Sequence, residues 1–535
     1  MTAFTGTGAL LRLALRRERV ALPAWTGALA LIVVGQIGTY TRLLPTAQDR
    51  QGLLAEISRN PVFLAFNGPA FAATVSGLVV WRLSATAFCL LGLMALLTVV
   101  RHTRADEEAG RYELLAAGAV GRLAPLGSAL LVTAAACALA GLLCALGMGA
   151  LTGEWAGAGV FGAALTLEGW VFAALAALAA QLVGEAGSAR ALAGAALVLA
   201  YALRFVGDGS GSSWLSWLSP LAWGQQARPF ADNRWWVLLL PLAAALLAGA
   251  AAVRIAVRRD LGAGLIRSRS GPATGDGLRG PLALAWCLQR AMLLGWVAAF
   301  ALLGAFFGLL APGFPPLLGQ TSPAVQEFFR RFGGADGSAD LVDAFLWTIM
   351  LTLGYTAALY PALAVLRLRA EEAAGRAEIV LAGAVSRLRW AASHLLIALL
   401  GTALIMAAAG LAIGLAYGAG GGFAAQLPRL MAAALLQVPA AWVLGGVAAL
   451  AVGAAPRAAV AVCWLAWLLI NLFGEIVGPI LGLGYWVANT ISPFHYLPNT
   501  LAGDAVAPLP LAGLLGVTAL LVALGLAALR RRDIG

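Results

Sequence analysis

Apolar runs long enough to cross a lipid bilayer dominate this chain, and they leave few folds open to it. They fall near residues 22–42, 77–100, 124–148, 159–183, 190–207 and 235–257 in the first half, and near 290–311, 343–366, 390–416, 427–453, 457–478 and 508–529 in the second. A helix rises about 1.5 Å per residue and a hydrocarbon core is about 30 Å thick, so about 20 apolar residues suffice. Lipid offers no partner to backbone N–H and C=O groups, and a helix satisfies them internally. Only 11% of the residues are charged and 61% are hydrophobic, against about 25% charged in soluble domains. The expected fold is an all-α integral membrane protein of about twelve transmembrane helices.

Arginine supplies every basic side chain; the 35 basic residues include no lysine. Of these, 25 lie in segments that share the N-terminal side of the membrane, chiefly residues 12–19, 101–122, 254–290 and 367–389. Cytoplasmic loops collect positive charge, so both termini are expected in the cytoplasm. The net charge of +11 forms no basic patch interleaved with aromatics on a soluble domain, and nucleic acid is not an expected partner. The missing lysine excludes a phosphate loop of the G-x-x-x-x-G-K-[ST] kind, whose lysine reaches the outer phosphates of ATP. Any such hydrolysis would belong to another polypeptide.

The chain repeats itself. "RADEEAGRYELLAAGAVGRL" at 104–123 returns as "RAEEAAGRAEIVLAGAVSRL" at 369–388, with 13 of 20 residues identical. A Ser-Pro amid aromatics recurs in "WLSPLAW" (217–223) and "TISPFHY" (490–496), and the exit of each last span reads "RRDLG" (258–262) or "RRDIG" (531–535). Six spans return a chain to its starting side, so the halves are expected to be parallel six-helix repeats. The division is a first half 1–262, a Gly/Ser/Pro-rich cytoplasmic linker 263–280 and a second half 281–535.

Each island follows the second span of its half. Its acidic start (Asp106, Glu107, Glu108; Glu371, Glu372) suits the positive end of a helix dipole. Glu107–Arg111 and Glu372–Arg376 have the i, i+4 spacing of helical ion pairs. Leu114–Leu115 and Ile379–Val380 then add an apolar edge. This predicts a short amphipathic element at the membrane surface, with a mixed acidic and apolar face suited to docking a soluble partner.

The order Glu, two residues, Gly, two residues, Glu, two aliphatics, then Val and Arg resembles the loop after the second span in membrane subunits of type-two ATP-binding-cassette exporters. The match falls on Glu107, Gly110, Glu113, Leu114, Leu115, Val120 and Arg122, and on Glu372, Gly375, Glu378, Val385, Ser386 and Arg387. The family's Thr-Pro before the Val is Gly-Ala here. The fused twelve-span form is most similar to polyketide-antibiotic and multidrug exporters of bacterial cell membranes. The resemblance implies a coupling helix at Glu107, Gly110, Arg111, Glu113, Leu114 and Leu115, and a second at Glu372, Gly375, Arg376, Glu378, Ile379 and Val380. It also implies two copies of a soluble ATPase that bind ATP and Mg, no cofactor on this chain, outer re-entrant helices at the Ser-Pro segments, and a hydrophobic small-molecule cargo.

Polar groups within spans are costly in lipid and mark a path or a packing pair. Arg82, Glu168, Asn471 and Glu475 are the candidates for a substrate path. His394 reads as a satisfied helix residue. The five cysteines stand singly and suit packing rather than metal binding. Three histidines allow no assembled hydrolase or zinc centre. Two other readings stay open: a twelve-span ion-coupled transporter, although its expected Asp-Arg-x-Gly-Arg pattern is absent, and a lipid exporter of the same ATP-driven type.

Overall fold

The computed structural model describes residues 2–59, 61–116, 118, 120–260, 262–266, 278–313, 341–472 and 491–532. Every regular element among them is helical. The chain divides into two compact units, Met1–Gly271 and Pro272–Gly535, and each has its own apolar core.

The first unit opens with a surface helix α1 (Thr7–Arg17) and its first span α2 (Ala21–Leu43). Short helices α3 (Ala47–Arg59) and α4 (Pro61–Asn67) lead to the second span α5 (Val75–His102). The island supplies α6 (Arg104–Glu108) and α7 (Arg111–Ala116). Spans α8 (Ala124–Thr152), α9 (Trp155–Leu182) and α10 (Ala186–Ser210) follow. The short pair α11 (Ser213–Trp217) and α12 (Pro220–Gln226) precedes the last span α13 (Leu239–Arg258).

The second unit repeats this order with α14 (Pro281–Leu310), α15 (Leu341–Ala357) and α16 (Leu359–Ala373), then the island helix α17 (Arg376–Leu381). It continues through α18 (Arg387–Gly418), α19 (Phe423–Leu435), α20 (Val438–Ala454) and α21 (Ala459–Leu472), and ends with α22 (Pro508–Arg531). Eleven helices are long and apolar enough to cross a membrane, with α15–α16 and α19–α20 each forming one broken span. The described part of α21 is shorter, so the architecture of about twelve spans stands.

The breaks have a chemical cause. Pro361 lacks the N–H that would bond to Ala357, and Pro439 interrupts the ladder after Leu435 in the same way. Two spans begin on a side-chain cap. The Thr74 hydroxyl accepts the Gly77 N–H at 3.0 Å, and the Ser386 hydroxyl accepts that of Arg389 at 3.3 Å.

Packing repeats between the units as well. In the first, α2 lies on α8, and α5, α8 and α13 all lie on α9. In the second, α14 lies on α18, while α16 and α22 lie on α20. Lipid is as apolar as leucine, so helices associate through close contact of small residues. A Cβ on Gly141 would strike the Gly162 carbonyl oxygen on α9, and one on Gly453 would strike the Gly525 carbonyl oxygen on α22. Gly410, Gly414 and Gly418, one helical turn apart on α18, face Ala434, Leu427 and Phe423 and let α19 approach closely.

Candidate functional site

Each island begins as a continuation of its second span rather than as a separate surface helix. Only Thr103 separates α5 from α6, and α16 runs unbroken through Glu371 and Glu372. The turn comes at Gly110 and Gly375, which both hold φ +70°. An L side chain is disfavoured there by about 1 kcal/mol or more, which accounts for glycine at both positions. Past the turn lie α7 and α17.

That reversal overturns the expected i, i+4 pairing. Arg111 folds back on Asp106 at 2.6 Å, and Arg376 on Glu371 at 2.7 Å, so both arginines reach five residues back rather than four. Glu107 and Glu372 are thereby free to face inward, where their side chains are only 9% and 6% exposed.

What they meet is the exit of the last span. Arg259 donates from both terminal nitrogens to Glu107, at 3.0 and 2.8 Å. Arg532 donates from Nη2 to both oxygens of Glu372, each at 2.7 Å. A third arginine closes each clamp from the island's end: Arg122 donates to the Arg259 carbonyl, and Arg387 to the Arg532 carbonyl at 2.6 Å. The first arginine of each island holds the end of the fourth span, with Arg104 on the Ala180 carbonyl at 2.9 Å and Arg369 on the Pro456 carbonyl at 3.1 Å. Two segments 265 positions apart thus make one set of bonds twice. The arginines at 259 and 532 had a visible signal, the recurring "RRD" at two span exits, but no role followed from it in the sequence.

The copies differ in their fastenings. Arg259 also donates Nε to Gln181 at 2.5 Å, and Gly262 N–H reaches Glu107 at 2.6 Å, whereas Arg532 Nε is buried without a partner among the described residues. Glu108 accepts the Ala186 N–H at the start of α10 at 2.9 Å, a contact that Ala373 in the second island cannot make. The expected linker begins bound rather than free, since Leu265 and Ile266 donate to the Gln181 and Leu182 carbonyls. In the first unit α1 joins the island through Arg17 and Asp106, 2.7 Å apart.

Glu113, Glu378 and Ile379 are exposed, Ile379 at 77%. Val380 is partly buried against the second unit's core. Leu114 and Leu115 lie in α7, and their side chains are outside the described set. The geometry separates an inward ionic grip on the last span from an outward acidic and aliphatic tip.

The intramembrane candidates do not converge. Glu168 is 0% exposed within α9, with the Gly224 backbone N–H turned toward its carboxyl group at a geometry short of a full hydrogen bond. Arg82 is exposed and donates to Asn67 Oδ1 at 3.2 Å. It borders a polar cluster that the sequence reading missed. Arg204, 0% exposed, donates to the Ala65 and Phe66 carbonyls, at 3.0 and 2.6 Å, and pairs with Asp208 at 3.6 Å. Gln225 bridges Asn67 and Ser84. The signal was an Arg–Asp pair at i, i+4 inside an apolar run. Asn471 donates to its own helix at the Trp467 carbonyl, 2.9 Å away, and Glu475 lies outside the described residues. The Ser-Pro serines are both fully buried, with Ser219 donating to the Ala200 carbonyl at 2.6 Å and Ser492 beside the Tyr355 hydroxyl at 3.0 Å. His394 meets Gln289 at 2.8 Å.

Residues 8–255 and 278–530 match the family described as multidrug efflux system permease Rv1217c, C-terminal domain. Over 538 aligned residues the chain is 41% identical to the multidrug efflux system permease protein Rv1217c of Mycobacterium tuberculosis (strain ATCC 25618 / H37Rv), covering 100% of this chain and 96% of that protein.

Proposed function

This chain belongs to the multidrug efflux system permease family, and from that premise we propose that it is the membrane subunit of an ATP-driven exporter of hydrophobic, drug-like or polyketide compounds from a bacterial cell. Two copies of a soluble ATPase dock beneath the islands and bind the ATP and Mg, because the chain has no lysine with which to build a phosphate loop. The observation that carries this reading is the duplicated grip of Glu107 on Arg259 and of Glu372 on Arg532, set behind outward-facing Glu113, Glu378 and Ile379. A tip displaced by a docked partner pulls directly on the last span of its half. ATP-driven closure of the two ATPases is then read as a rocking of the six-helix bundles, and coupling requires the nucleotide-bound partner to favour one arrangement.

Cargo of this class fits surfaces that are apolar rather than charged. In the second unit a cavity of about 310 Å³ between α14 and α18 is walled by Leu282, Trp286, Leu293, Leu396 and Leu400, and it would accept a hydrophobic molecule from the lipid phase.

The test is co-purification with the cognate ATPase and measurement of ATPase stimulation in the Glu113→Arg plus Glu378→Arg variant. Loss of stimulation with unchanged membrane insertion is expected. Full stimulation in that variant removes the docking role, and drug export by the purified chain on an ion gradient, without ATP, removes the whole scheme.

A further inference from the structure

Four span ends meet around a cavity of about 360 Å³ in the first unit, on the side away from its island. Its wall includes Thr41 near the end of α2, Ser76 at the start of α5, Thr152 closing α8, Glu154 before α9, and Arg50 of α3. Among the described residues, three polar atoms of that wall have no hydrogen-bond partner: Arg50 Nε, Ser76 Oγ and Glu154 Oε2. Leaving such groups buried and unpaired is costly. Ser76 is 0% exposed, so bulk water does not satisfy its hydroxyl.

The chemistry of the wall has two signs. Arg50 is anchored through Nη1 to the Leu44 and Pro45 carbonyls, at 2.9 and 3.1 Å, which fixes the guanidinium in place. Thr74 takes up the Gly77 amide, leaving the Val75 and Ser76 amides at the positive end of a 28-residue helix without helical acceptors. Arginine, a buried hydroxyl and helix-end amides together ask for an anion of the phosphate kind. The Glu154 carboxylate beside them rejects a bare anion and asks for an ammonium.

Position narrows the source. The cavity sits where apolar spans end, which is the level of lipid headgroups, and Trp155 next to Glu154 is 57% exposed there, as interfacial tryptophans are. Leu151 in its wall is 62% exposed, offering apolar surface for chains below a headgroup. We propose that this cavity binds the phosphoethanolamine headgroup of a membrane lipid, phosphate toward Arg50 and Ser76 and ammonium toward Glu154. The second unit closes comparable charges on themselves: Arg429 pairs with Asp343 and donates to the Leu501 carbonyl at 2.9 Å. The site is independent of how the islands are driven.

The experiment uses the purified full-length chain in detergent, with binding followed by thermal stabilisation on titration with phosphatidylethanolamine, phosphatidylglycerol or water-soluble glycerophosphoethanolamine. Phosphatidylethanolamine is expected to bind about tenfold more tightly than phosphatidylglycerol. Glu154→Gln should abolish that preference, Arg50→Gln should weaken both lipids, and Ser76→Ala should weaken phosphatidylethanolamine several-fold. Elution volume and helix content control for folding, and the change of preference in Glu154→Gln is a readout that general damage does not produce. Saturation by the soluble headgroup as readily as by the lipid supports the zwitterion chemistry but overturns the membrane source. Equal binding of the two lipids by the unaltered protein, or unchanged binding in both charge variants, overturns the proposal.

Discussion

Glu107 and Glu372 each spend their charge on an arginine at the end of a last span, and that makes them the residues whose loss is easiest to forecast. Both pairs are nearly buried, and truncating one partner strands the other charge. Glu107→Ala or Arg259→Ala is expected to lower stability by about 2–3 kcal/mol, read as a drop in unfolding temperature in detergent. Arg532→Ala should cost more than Arg259→Ala, because Glu107 keeps Arg104 at 3.0 Å when Arg259 is lost, whereas Glu372 has no second ionic partner among the described residues. Equal losses at the two sites would contradict this ranking. Glu168 behaves in the opposite way. Its carboxyl group is fully buried with the Gly224 backbone N–H turned toward it, and Glu168→Gln keeps an acceptor for that amide while relieving the burden of an ionisable group in lipid. Unfolding temperature should hold or rise; a clear fall would mean that the charged carboxylate is what the site holds.

At the scale of helices, glycine has two separable uses, and substitution distinguishes them. Gly110 and Gly375 have open space where a Cβ would go, so Gly110→Ala should cost only about 1 kcal/mol, all of it backbone conformation at φ +70°. Gly141 has ordinary helical geometry, but the Gly162 carbonyl blocks its Cβ. Gly141→Ala is therefore expected to cost about 1–3 kcal/mol through overpacking, whereas Gly194→Ala on α10, with nothing near, should be neutral or slightly stabilising. Parallel melting curves of the three variants check the order. The lengths of the spans were legible in the sequence because apolar run length is set by bilayer thickness. The breaks within α15–α16 and α19–α20 were not read, although Pro361 and Pro439 stood in the runs, because a proline can be absorbed as a kink or as a break depending on what packs beside it.

For the whole molecule, the two units and their separate cores make the chain a tandem of similar bundles. The arginine distribution sets the expected sidedness and can be checked directly. In a cysteine-free background, Thr274→Cys should react with an impermeant maleimide only after the membrane is opened, and Ser322→Cys should react in intact cells. The reverse pattern would invert the orientation. Single charge reversals test the duplication: Glu113→Arg or Glu378→Arg alone should leave partial ATPase stimulation, and the double variant almost none.

The sequence by itself determined that the chain lives in a membrane, that it crosses about twelve times, that it is a duplicate, and which segments recur. Each of these follows from one-dimensional quantities: apolar run length, charge placement and self-similarity. Tertiary structure decided what the recurring acids do. Glu107 reads equally well as a partner for Arg111, four residues on, or for any arginine that the fold delivers, and only the reversal at Gly110 together with the return of α13 to the same side chose Arg259. Long-range pairing depends on where helices end in space, and spacing along the chain carries no record of that.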